Sequence, residues 1–299
     1  MISDFSGGLN TNDPSHKLDS SFSPYMRNVF IDNGKIERVN GFSMVGSTRV
    51  LQSITGIFPY VQEDGTTRFL VTDSSITFQT SDFSSWVLVS SAASSLALLN
   101  WMQVRNKMWG FNGVDFVIVW DGTNKTILNG NPTPAGVATP NVPKFRYGAY
   151  FDDRVWGLNV PNAASDLYFT SVITTDAVII APDDPRAWPA LNLLHIGQGD
   201  GQVGTALFVA DGQLRVGKER SIHTIFGDGP SSFNPRKENT DIGIASNDSV
   251  AVVDGQAHFL SKDGIYRNST RISDLIRPDV ETFYSLANGT VQNIWDSQS

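Results

Sequence analysis

Within DGQLRVGKERSIHTIFGDG, Gly212, Gly217 and Lys218 complete a G-x-x-x-x-G-K, the spacing with which a phosphate loop wraps a nucleotide. That chemistry needs a preceding strand, backbone N–H groups exposed by glycines, and a Ser or Thr opening a helix to hold Mg²⁺. TALFVA, just upstream, supplies the strand. Glu219, however, stands where the hydroxyl belongs and would set a carboxylate against the phosphates. The following SIHTIFG alternates β-branched and aromatic residues with polar ones, a strand pattern. The segment is therefore expected to form a β-hairpin that binds no nucleotide, with Lys218 and Glu219 facing solvent or a neighbouring subunit. Gly199, Gly201 and Gly204 spell a G-x-G-x-x-G in outline, but a dinucleotide fingerprint must open a helix. This one opens onto TALFVA, so both glycine clusters read as turns between strands.

The remaining candidates for chemistry are sparse. His16, His195, His223 and His258 are scattered without metal-ligand spacing, and the chain contains no Cys, so thiolate zinc sites and disulfides are excluded. Asp152-Asp153 and Asp183-Asp184 are the notable carboxylate pairs. A propeller glycosidase would set two carboxyls about 5 to 9 Å apart across the scissile bond. Adjacent Asp residues in loops are more often turn formers, because their side chains bond nearby backbone N–H groups. The S-x-D-x-G-x-T-W repeats of sialidase propellers and a G-x-S-x-G elbow are both missing. The sequence thus nominates no catalytic, cofactor or metal residue, and the expectation is a protein that is not an enzyme. Trp101, Trp109, Trp120, Trp156 and Trp188 lie in or beside strands, where packing accounts for them.

What must position these residues is a series of hairpins. RFLVTDSSITFQT turns at Asp73-Ser74, and KMWGFNGVDFVIVWDG at Asn112-Gly113. RVWGLNV, a longer insertion and DLYFTSVI make a third unit, starting near Val155. QLRVGKERSIHTIFGDG turns at Lys218-Glu219, and AHFLSKDGIYRNS at Asp263-Gly264. Recurrence at roughly 40 to 50 residues with several short strands per unit is the signature of propeller blades. No unit carries the G-H…W-D pair of WD repeats, so the blades are degenerate. The expected fold is all-β: a β-propeller or propeller-like ring of about five or six blades over residues 51–299, with a β-sandwich as the alternative. With 26 Gly, 14 Pro and 17% charged residues in 299, long helix-forming runs are missing.

Residues 1–50 differ from the rest. They are polar, rich in Gly, Ser, Asn and Asp, and read as an extended N-terminal arm followed by a tight hairpin, VFIDNGKIERV, around Asn33-Gly34. Phe5, Leu9, Phe22 and Tyr25 are spaced anchors that such an arm would set against a partner surface. No apolar run approaches the ~18 to 20 residues of a membrane helix, and MISDFSGGLN lacks the basic and apolar regions of a secretory signal. The formal net charge of −8 argues against a nucleic-acid binder, whose affinity rests on neutralising phosphates.

The N-terminal FSGGLNTNDPSHKLDSSFSPYMRNVFIDNGKIERVNGF resembles the start of bacteriophage tail proteins of the nozzle, or tail-tubular B, type. The matching positions are Gly7, Gly8, Leu9, Asn10, Pro14, Asn28, Gly34, Arg38 and Gly41. The run from DDRVWGLNV through LRVGKERSI to SKDGIYR is similar to phage propeller-like structural proteins, with Gly217 in an otherwise bulky slot. The resemblance implies a virion protein between portal adaptor and distal tail, made in the host cytoplasm and working as a homo-oligomeric ring. Such a ring contacts the portal adaptor and tail fibre and lets DNA pass without binding it. It carries no catalytic residue. Phe5, Gly7, Gly8, Leu9, Asn10, Phe22 and Tyr25 are the expected partner contacts. Nozzle proteins are usually longer than this chain. The alternative is a carbohydrate-binding or carbohydrate-active phage propeller, serving in receptor binding or as a depolymerase.

Overall fold

The structure is a computed structural model that describes residues 8–9, 14–23, 25, 29–32, 35–38, 54–73, 76–90, 98–130, 142–174, 188–189, 191–238 and 241–272. The chain divides into two compact units, Gly46–Thr270 and a second made of Met1–Val45 with Arg271–Ser299.

Among the described residues the larger unit contains five four-stranded antiparallel sheets, each a meander whose strands pair in sequence order. Sheet I comprises Gly56–Val61, Thr67–Thr72, Thr77–Thr80 and Val87–Ser90. Sheet II comprises Asn100–Val104, Lys107–Phe111, Val117–Trp120 and Lys125–Leu128. Sheet III comprises Tyr147–Phe151, Arg154–Val160, Ala163–Phe169 and Leu193–His195. Sheet IV follows with Gly204–Ala210, Gln213–Lys218, Ile222–Phe226 and Asn234–Lys237. Sheet V runs through Ala251–Val253, Gln256–Ser261, Gly264–Arg267 and Thr270–Arg271. Consecutive meanders of this kind, packed face against face, make a β-propeller, as the sequence predicts. The hairpin around Asn112-Gly113 lies in the second sheet.

The core sits between sheets. Tyr60 and Leu70 of sheet I pack on Trp101, Ile118 and Trp120 of sheet II. Trp109, Val117 and Val119 then pack with Phe145 and Val155 across the II–III boundary. Trp156, Leu158 and Phe169 of sheet III meet Leu207, Leu214 and Val216 of sheet IV. Ala206, Phe208 and Ile222 of sheet IV meet Phe259 and Tyr266 of sheet V. Central strands are covered on both faces, which is why VIVW (Val117–Trp120) is apolar at every position and buried throughout.

In sheets II to V, two-residue turns join the first strand to the second. Asp152 and Asp153 adopt φ of 51° and 50°, Asp211-Gly212 51° and 69°, and Asp254-Gly255 50° and 79°. Two central residues at positive φ define the turn whose twist matches paired strands, so Asp and Gly serve here as turn formers. The expected longer insertion in the third unit is absent: Val160 pairs directly with Ala163 around Pro161-Asn162. Asn162, at φ 66°, permits that two-residue turn.

In the smaller unit Gly8–Leu9 pair in parallel with Phe22–Ser23, and Val29–Asp32 pair with Lys35–Arg38 in the expected antiparallel hairpin. Phe5, Gly7 and Asn10, together with Asp183-Asp184, lie outside the described residues.

Candidate functional site

In an antiparallel meander the start of the first strand lies beside the end of the second. Asn100 is thus opposite Phe111, and Tyr147 opposite Leu158. The strand lead-ins and the second-to-third turns therefore collect at one end of the sheets. There they enclose a cavity of about 320 Å³. Its walls are Leu98 and Asn100 from sheet II's lead-in, Asn112 to Val114 from its turn, Arg146 and Tyr147 from sheet III's lead-in, Asn159 and Pro161, and Asp248 just before sheet V.

Local chemistry holds this frame. The Asn112 side chain, only 3% exposed, accepts the N–H of Val114 at 2.9 Å and of Asp115 at 2.8 Å, and donates to the Asp115 carboxylate at 2.8 Å. Gly113, at φ +80°, has no room for a side chain, since a Cβ would stand 2.9 Å from the Arg146 Cβ. Asn159, at φ 60°, donates through Nδ2 to the Gly204 carbonyl at 2.8 Å, tying sheet III to sheet IV. Asp248 sits in a 3-10 turn, Asn247–Ser249, whose entry is capped by the Ser246 hydroxyl accepting from Asp248 N–H.

The cavity carries both signs of charge. The Arg146 guanidinium lies 5.6 Å from the centroid of the Tyr147 ring. Among the described residues, neither it nor the Asp248 carboxylate has an ion-pair partner. The Tyr147 phenol is pushed above its ordinary value, mainly by burial and further by the Asp248 carboxylate, while Arg146 opposes. It is a neutral donor at physiological pH. An unpaired cation and an unpaired anion, several amides, a phenol ring and the apolar Leu98, Val114 and Pro161 make a site that can orient a small polar molecule.

The G-x-x-x-x-G-K segment is the predicted hairpin, yet Lys218 does not face solvent. Its side chain is fully buried, and Nζ donates to both Asp200 carboxylate oxygens at 2.7 Å and to the Ile196 carbonyl at 2.8 Å. The reason lies in the strand period: Lys218 shares its face with Leu214 and Val216, both buried. Its ammonium is thus held by one carboxylate, and the phosphate role is closed. Burial works against ionisation of Asp200, but the Lys218 bond and the Gln202 N–H prevail and hold its carboxyl below the usual range. His223 is buried beside this pair and contacts the Ser221 hydroxyl through Nε2 at 3.2 Å. Burial, then the Lys218 charge, lower its pKa. Ser221 is itself 1% exposed, so this hydroxyl–imidazole contact is sealed from substrate.

His195 meets Asp166 at 2.8 Å on an outer strand of sheet III. His16 lies in a short 3-10 turn, and His258 on the second strand of sheet V. Among the described residues no group of three or more His, Asp or Glu is arranged to hold a metal. Of the expected partner contacts, Gly8 and Leu9 pair with the strand containing Phe22, while Tyr25 is 70% exposed. Sequence reasoning missed the adjacent Arg146 and Tyr147 and the distant Asp248, which together follow no motif. The usable signal was position: Arg146 and Asp248 precede a first strand, and Tyr147 opens one.

No family model matches the sequence, and no curated protein matches it. Among solved structures the chain is similar to a virginiamycin B lyase from Staphylococcus aureus, at 10% identity and a TM-score of 0.45, covering 79% of this chain and 71% of that one. It is also similar to YCF48 from Cyanidioschyzon merolae, at 11% identity and a TM-score of 0.42, covering 73% and 67%. A YCF48 bound to a D1 peptide gives 15% identity and a TM-score of 0.39 over 67% and 61%. These likenesses concern the fold alone.

Proposed function

We propose that the chain is a structural virion protein of a tailed bacteriophage, part of a tail or head–tail ring through which DNA is delivered. The observation that carries this reading is the order along the chain: Gly7-Gly8-Leu9-Asn10, the Pro14 linker, the hairpin at Asn33-Gly34, then propeller sheets. The exposed Lys35–Arg38 strand and the exposed Tyr25 offer surface to neighbouring subunits in a closed cyclic assembly. The first strands of all five sheets (GIFPYV, NWMQV, YGAYF, GTALFVA and AVV) contain no Lys or Arg. They supply no cations to grip phosphates, which suits a protein past which nucleic acid slides. The role is non-catalytic.

Negative-stain microscopy and mass spectrometry of the purified full-length protein test this. Closed rings, lost when residues 2 to 25 are deleted while the melting temperature is kept, are the expected result. A monomer at every concentration overturns it.

A second reading, a carbohydrate-binding propeller, is favoured by the amide-rich cavity at the ends of sheets II and III. Saturable hits on a glycan array support it.

A further inference from the structure

We propose that the cavity between Asn100, Arg146, Tyr147, Asn159 and Asp248 binds a carboxylated sugar of the uronic acid type. The inference rests on the carbohydrate-binding reading and names its ligand class. Its volume, about 320 Å³, stands at the lower end of the ~300 to 1,000 Å³ of small-molecule sites. That suits one or two sugar rings and not a long peptide.

The chemistry narrows the choice. The Arg146 guanidinium, without an ion pair among the described residues, presents a planar fork that matches a carboxylate bidentately. A phosphate dianion fits poorly, because the Asp248 carboxylate shares the cavity and repels a second negative charge. Among the described residues the Asp248 carboxylate, the Asn100 carboxamide and the Asn159 Oδ1 make no hydrogen bond to the protein's own groups, so they are open to hydroxyls, which both donate and accept. The neutral Tyr147 phenol adds a further donor. Its ring, with Val114 and Pro161, provides the apolar surface on which the C–H face of a sugar packs. A neutral sugar would leave the guanidinium without its counter-charge. An aliphatic acid would leave the amides and Asp248 unmatched.

The test is calorimetric titration of the full-length protein with methyl β-galacturonoside and, separately, with the neutral methyl β-galactoside. Saturable binding of the acidic sugar, at least about tenfold tighter than the neutral one, is expected. Arg146→Ala removes that preference while leaving the melting temperature unchanged, and Asp248→Asn weakens the neutral sugar, which loses a charged acceptor for its hydroxyls. Equal binding of the two sugars, or an acidic preference that survives Arg146→Ala, overturns the uronic acid assignment but leaves a carbohydrate site standing. Absence of binding to either sugar and to a glycan array overturns both.

Discussion

The Lys218 ammonium lies 2.7 Å from each oxygen of the Asp200 carboxylate, with none of the lysine side chain exposed. Asp200 belongs to the glycine-rich connection between sheets III and IV, and Lys218 closes the second strand of sheet IV. The pair therefore staples an interblade connection to a strand, and the Ile196 carbonyl completes the ammonium's bonding. A cation without this carboxylate would stand desolvated in the protein interior, which is costly.

Replacing Asp200 by Ala should lower unfolding free energy by about 3 kcal/mol, because the buried ammonium is left without its partner. The double variant Asp200→Ala, Lys218→Met should recover most of that loss. Urea denaturation of the single and double variants measures it; additive losses would contradict the coupling.

Both groups beside Lys218 give stability an acid limb. The His223 pKa is lowered below 6.5 in the folded protein, so the unfolded chain takes up that proton first. Stability therefore falls as pH drops below the unfolded value toward the folded one. Asp200 acts later: its lowered pKa contributes stability above the ordinary carboxylate range, lost as pH falls through the folded value. Melting temperatures from pH 7 to 4 should decline in the native protein and decline less in His223→Gln over the upper part of that range.

The propeller was legible because its signals are local: the Asn112-Gly113 turn, the Asp263-Gly264 signal (one residue past the Lys262-Asp263 turn it marks), Asp pairs, and apolar strands such as VIVW recur at blade spacing. The blade boundaries were less so. RVWGLNV and the strand after it were read as separated by an insertion, because AASDLYF begins with small and polar residues that the strand pattern hides. Lys218 was misplaced because its charge outweighed the alternation that sets it on the face of Leu214 and Val216. Arg146, Tyr147 and Asp248 could not be foreseen as a group, since only the ring arrangement of the sheets brings their lead-ins together.

Gly217 occupies a slot at the boundary of sheets IV and V, where a Cβ would stand 2.8 Å from the Ile244 Cδ1 and 3.1 Å from the Ala206 Cβ. Gly217→Val should cost about 1 to 3 kcal/mol by overpacking. Adding Ile244→Val should restore part of it, because the clashing Cδ1 is removed. A thermal melt of the two variants decides; an unaffected Gly217→Val protein would mean the boundary is looser than its contacts imply.

Tyr147 reports the charge state of the cavity. Burial is the main cause of its raised pKa, the Asp248 carboxylate adds to it, and the Arg146 guanidinium opposes it. Removing the carboxylate in Asp248→Asn should therefore move the phenol back toward its ordinary value. Removing the guanidinium in Arg146→Ala should move it further up, since a phenolate loses its nearby positive charge. Tyrosine labelled with ¹³C at the ring, followed by NMR from pH 8 to 12 with Tyr147→Phe for assignment, reads both shifts on one resonance. Opposite movements in the two variants are expected. Movement in the same direction, or none in either, would show that the two charges do not act on the ring from within one cavity.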